Sequence, residues 1–187
     1  MSLRRGFKSE ANATAVEVRG ELGLPPTAAL DPFVLAEYLT IPVRPISDLQ
    51  SREPAGVGYL LAAGRESFSA VTVFNDHGRT IWHNDAHAPA RQVSNVAHEV
   101  AHALLLHPPG LIDGTRDWNA TQEEEAAWLG GALLVTDEAA AEVARRGLPI
   151  EVAAEFYGVS ERLMTWRVNV SGAVIRAERA AAKSGRR

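Results

Sequence analysis

Apolar positions follow two rhythms along this chain, a dense β-type spacing between about residues 57 and 84 and a helical spacing before and after it. Over residues 8–22, Ala11, Ala15, Val16 and Val18 fall between charges and the run stops at Gly23, which predicts an amphipathic helix. Asp31-Pro32 opens a second, short helix, DPFVLAEYL, because aspartate caps a helix and proline is tolerated in its first turn. These are the N-terminal helices of 8–40. With prolines at 42 and 45, the segment 41–46 is suited only to an edge strand or extended chain. The runs VGYLLA from Val57 and SFSAVTVF from Ser67 flank a turn at Gly64, and TIWHN follows the turn Asn75-Asp76-His77-Gly78. Together they predict a small antiparallel three-stranded sheet within 41–84.

Helical spacing covers 91–107, then 119–135 after a loop rich in Gly, Pro and Asp, then 136–146. Gly158 followed by Ser160 as a cap predicts a helix-turn-helix-like end over 149–173. The tail from 176 to 187, ending AERAAAKSGRR, reads as flexible. The expectation is one α+β domain over 7–175, mainly helical.

Composition narrows what such a domain does. With 187 residues, 46% hydrophobic and 22% charged, the chain can bury a core. A net charge of −4 provides no basic field for a phosphate backbone, so direct nucleic-acid binding is not expected. No run approaches the roughly 18 apolar residues of a membrane span, and the expected location is the cytoplasm. The absence of cysteine leaves histidine and carboxylate as the strong metal ligands.

The segment HEVAHALLLH, 98–107, carries the chemistry. Positions four apart on a helix lie about 40° apart around its axis, so His98 and His102 point the same way and can share one ion. Glu99 flanks that face. This is the HExxH spacing, in which two imidazoles bind zinc and the glutamate deprotonates the water that the metal activates. Catalytic zinc takes a third protein ligand, and the helix TQEEEAAWLGGALL offers Glu123, Glu124 and Glu125. Ala126, Leu129, Gly130, Leu133 and Leu134 form its apolar stripe, and Glu123 continues that stripe inward. Glu125 borders it and stays as the alternative. His107 falls about 140° round the helix from His102, away from the shared face. His77, His83 and His87 lie in or beside turns and are expected at the surface; one of them, or Tyr157, could donate to an oxyanion.

With these residues in place the chain resembles the ImmA/IrrE family of zinc metallopeptidases. The likeness runs from Lys8 to Ala173. It rests on HNDAHAPARQVSNVAHEVAHALLLH, with its asparagine at a strand end and its Arg-Gln lead into HExxH, and on EEEAAWLGGALLVT. The latter is similar to the family's Glu-x-x-Ala-x-x-[Phe/Leu]-Ala-x-x-Leu-Leu-x-Pro helix, with the first glutamate on Glu123. Ala127 stands where the family often has an Asp or Asn behind a zinc histidine, and Thr136 replaces the proline. The resemblance implies a zincin-like, gluzincin-type fold with one zinc per chain on His98, His102 and Glu123, and Glu99 as general base. It further implies a protein substrate, a helix-turn-helix repressor being the family's kind. The strand around Ser69 to Phe74 is expected to pair with the extended substrate. The alternative from another class is a regulatory module, metal-free or slow, that binds a repressor or DNA. In the helix-turn-helix-like end only Arg162 and Arg167 are cations of the second helix, while Leu163, Met164 and Trp166 read as core, which favours docking or support over DNA reading.

Overall fold

The computed structural model describes residues 3–76, 78–108 and 119–184. His77 and the Gly/Pro/Asp-rich loop 109–118 lie outside the described residues. Two helices open the chain, α1 (Phe7–Glu21) and α2 (Pro32–Tyr38). Asp31 caps α2 by accepting from the Phe33 amide, as its position before proline predicts. Strand β1 (Val43–Pro45) follows, then α3 (Pro54–Leu61), β2 (Ala70–Asn75) and β3 (Gly78–His83). The second half is helical, with α4 (Pro89–Leu104), α5 (Ala120–Leu134), α6 (Asp137–Arg146), α7 (Ile150–Tyr157), α8 (Glu161–Val170) and α9 (Ala173–Ser184). The chain is thus α+β with a three-stranded sheet. Among the described residues no helix is long and apolar enough to cross a membrane.

Three expectations need correction. VGYLLA is not a strand: Pro54 sits in the first turn of α3, where its fixed φ suits a helix, and Val57, Leu60 and Leu61 have helical i, i+3, i+4 spacing. The third strand is instead β1, Val43–Pro45, and the sheet is mixed rather than antiparallel. Its order is β1-β3-β2, with β1 parallel to β3 (Val43↔Ile81) and β2 antiparallel to it (Thr72↔Ile81). Pro45 is tolerated in β1 because β1 is an edge. The segment from 176, expected as a flexible tail, continues α9 to Ser184.

Helices α4 and α5 pack against each other at the centre. One apolar cluster joins Phe7, Leu35, Ile81, Val96, Val100, Leu129 and Leu133, and so ties α1, α2 and β3 to that pair. A second joins Leu134, Val135, Val143, Ala153, Met164 and Val168, and ties α6, α7 and α8 to the end of α5. Close approach of these helices depends on Gly130 and Gly131. A methyl on Gly130 would sit 3.2 Å from the Ala97 carbonyl oxygen and 3.3 Å from the His98 Cα, and one on Gly131 would sit 2.4 Å from the Trp166 ring. Trp166 is itself held edge-on against Trp128, with centroids 5.2 Å apart, so it has little room to yield. Gly131→Ala is therefore expected to lower stability by about 1–3 kcal/mol, despite alanine's better helix propensity. Gly20, in α1, faces open space, and Gly20→Ala is expected to raise stability by about 0.5–1 kcal/mol. Thermal unfolding of the two variants checks the opposite signs.

Candidate metal centre

Helix α4 begins at Pro89 and presents its first turns to the end of β3. Gln92 donates through Nε2 to the Asp85 and His87 carbonyls at 3.1 and 2.8 Å. Asn95 Nδ2 reaches the Ser69 carbonyl at 3.4 Å and His87 Nδ1 at 3.1 Å, and His87 Nε2 donates to the Arg65 carbonyl at 2.7 Å. Buried Asn84 gathers the same loop, its Nδ2 lying 3.0–3.2 Å from the Leu60, Arg65 and Phe68 carbonyls. These bonds fix β2 alongside α4.

That placement brings Thr72 of β2 to Glu99 of α4, and the Thr72 hydroxyl donates to Glu99 Oε2 at 2.6 Å. Burial holds the Glu99 carboxyl above the usual carboxylate range, with the nearby Glu123 charge adding to the rise; the Thr72 bond and His98 oppose it. A raised carboxyl is better matched to taking a proton near neutrality.

One turn along, His98 and His102 share a face of α4 as their spacing requires, and α5 brings Glu123 to them. His98 Nε2 lies 3.2 Å from Glu123 Oε2, and His102 Nε2 lies 3.1 Å from His98 Nε2 and 3.7 Å from Glu123 Oε1. One donor atom from each of the three falls within 4.8 Å of the others, a group able to hold a metal ion. The three side chains remain 22–33% exposed, which leaves room for a further ligand. Burial and the neighbouring His98 push His102 down to about 4, so its imidazole is neutral at pH 7 with a lone pair to give. Asn119 caps α5 by accepting from the Thr121 and Gln122 amides, and this sets Glu123 in the first turn.

The far end of α5 is held by two buried guanidiniums. Arg19 of α1 donates to the Leu133 and Leu134 carbonyls at 2.7 and 3.3 Å, and also to the Ala15 and Ala28 carbonyls. Arg167 of α8 donates to the Val135 carbonyl at 2.7 Å and to Asp137 at 2.7 Å. Two cations against the C-terminal carbonyls, with an acid in the first turn, suit the helix dipole at both ends.

Glu125, the alternative to Glu123, turns away from the pair of histidines toward Arg4 and His107. One expectation about histidines is overturned. His83 and His87 are buried, not exposed, because the Asn84–Asn95 network folds their turn inward. His107 lies just past the end of α4 and outside the group of three, as expected, and its Nδ1 comes within 2.9 Å of His102 Nδ1. Tyr157 donates to the Thr27 carbonyl at 2.8 Å, within the second cluster. Sequence reasoning passed over Thr72, Asn84 and Arg19, whose partners lie far along the chain. Of these only Asn84 gave a signal, as the asparagine at the strand end.

Among curated proteins no sequence matches the chain. The model of a peptidase family described as the IrrE N-terminal-like domain matches residues 66–169, over half of the 187 residues and inclusive of α4, α5 and Thr72. The chain belongs to this IrrE N-terminal-like peptidase family.

Proposed function

We propose that the protein is a zinc-dependent endopeptidase acting on a cytoplasmic protein. The observation that carries the reading is the convergence of His98, His102 and Glu123 beside a sheltered Glu99, at the open edge of β2. His98, His102 and Glu123 would hold the ion. When bound it supplies Lewis acidity, polarising the scissile carbonyl and lowering the pKa of water. Glu99 takes the proton of the attacking water and returns it to the leaving amine. Thr72 keeps the Glu99 carboxylate in one orientation. The outer edge of β2, with Val71, Val73 and Phe74 exposed, offers unpaired backbone groups and apolar side chains to an extended chain, a mode that suits a polypeptide better than a small amide. The family likeness suggests a helix-turn-helix repressor as the substrate. Burial of Arg167 leaves α8 short of the cations that DNA reading needs.

Metal content of the purified protein tests this. One zinc per chain is expected in the wild type, loss of it in Glu123→Ala, and full occupancy under saturating zinc in Glu125→Ala. A wild type that takes up no zinc would leave a protein that acts by binding alone.

A further inference from the structure

Helix α4 ends in a way its sequence does not favour. The Leu106 amide donates to the Ala103 carbonyl at 3.2 Å and the His107 amide to the His102 carbonyl at 3.0 Å, the paired bonds of a Schellman motif. The left-handed position of that motif usually takes glycine, yet here it is Leu106, with φ of 53° and its side chain largely in solvent. A left-handed residue with a Cβ is strained by about 1–2 kcal/mol. The exposed leucine side chain recovers little of that. The turn does, however, lay the His107 ring edge-on against His102, centroids 4.9 Å apart.

We infer that His107, backed by Glu125, is a positioning residue that locks His102 in the tautomer a metal needs. His102 meets the proposed site through Nε2, so its proton must reside on Nδ1. At 2.9 Å the acceptor for that proton is His107 Nδ1. An imidazole that accepts at Nδ1 carries its own proton on Nε2, and His107 Nε2 lies 3.4 Å from Glu125 Oε2. Glu125 is in turn held by Arg4, whose Nε lies 3.4 Å from Oε1. The direction is consistent throughout: His102 donates to His107, His107 to Glu125. Both outer side chains are largely buried, at 8% and 14% exposure, so water competes little for these bonds. Ala127, with no polar atom and facing solvent, cannot do the same. Partners that orient a metal-binding histidine from behind are worth about 10–100-fold in metal affinity.

This inference rests on the metal-site reading, and zinc titration against a chromophoric chelator separates the two. His107→Phe keeps a ring in place without an acceptor and is expected to weaken zinc affinity about 10-fold or more. His107→Asn keeps a polar acceptor and should restore most of it. Leu106→Gly, which relieves the strained turn, should raise the thermal midpoint and leave affinity unchanged. A wild type without zinc affinity overturns both readings; zinc binding by the wild type with His107→Phe within about twofold of it overturns this one alone. Should His107→Phe fail to fold, ¹⁵N spectra of the wild-type imidazoles without metal decide. His102 protonated at Nδ1 supports the inference, and at Nε2 overturns it.

Discussion

Glu99→Gln is expected to reduce peptide hydrolysis by about 10²–10⁴-fold, the worth of a positioned proton acceptor, while zinc content stays at one per chain. Glutamine has nearly the volume of glutamate, and its amide oxygen can still accept from Thr72, so the packing of α4 against β2 should survive. What it cannot do is accept and return a proton. Because His98 and His102 are untouched, metal content and thermal midpoint should match the wild type, which separates chemistry from folding. Single-turnover cleavage of a protein substrate, followed beside elemental analysis of the same preparation, is the measurement. Cleavage at the wild-type rate would dismiss Glu99 as the base. Thr72→Val, which removes only the orienting hydroxyl, should lose far less activity than Glu99→Gln.

The largest effect on stability is expected from Arg19→Met. Arg19 is fully buried, and burial pushes its guanidinium down to about 10, so it is still charged at neutral pH. Its hydrogen bonds run to four carbonyls, on α1, on the loop before α2 and on the last turn of α5. Methionine fills much of the volume but donates nothing, and each buried carbonyl left without a donor costs about 1–3 kcal/mol. A loss of at least about 3 kcal/mol follows, or a fall of about 6–12 °C in the unfolding midpoint of a chain this long. Arg19→Lys keeps the charge but cannot fork between α1 and α5, and should fall in between. A methionine variant as stable as the wild type would show that the guanidinium costs as much to bury as its bonds return.

Much of the helical half was legible because its signals are local. Asn119, Thr136 and Ser160 each cap the helix that follows, as their side chains and positions predict, and the spacing of His98 and His102 puts both on one face whatever the rest of the chain does. The inward phase of Glu123 was legible for the same reason, since it continues a stripe that ends in buried Leu133 and Leu134. The sheet was harder. VGYLLA has the residues of a strand, and only Pro54 three positions earlier signals the helix it forms. That β1 runs parallel to β3 depends on where α2 and α3 carry the chain, which no short window contains. His107 was placed by extending the helix past its end; the geometry that returns its ring to His102 is a left-handed residue that the sequence occupies with leucine, not glycine. Arg19 offered no sign at all. An arginine near the end of an amphipathic helix reads as surface, and the two acceptors that tie it to α5 lie 114 and 115 residues away.

Helix α5 is a lever with its pivot at the wrong end for casual tolerance. Ten residues, or about 15 Å of helix, separate Glu123 from the carbonyls that Arg19 grips. A twist of ten degrees at the clasp would swing a side-chain oxygen several ångströms off the axis by roughly half an ångström or more, whereas ligand distances must hold within about 0.2 Å. The placement of Glu123 against His98 and His102 thus depends in part on two guanidiniums at the opposite end of α5. Substitutions at Arg19 and Arg167 are therefore expected to misplace Glu123 in the proposed metal site as well as to lower the unfolding midpoint.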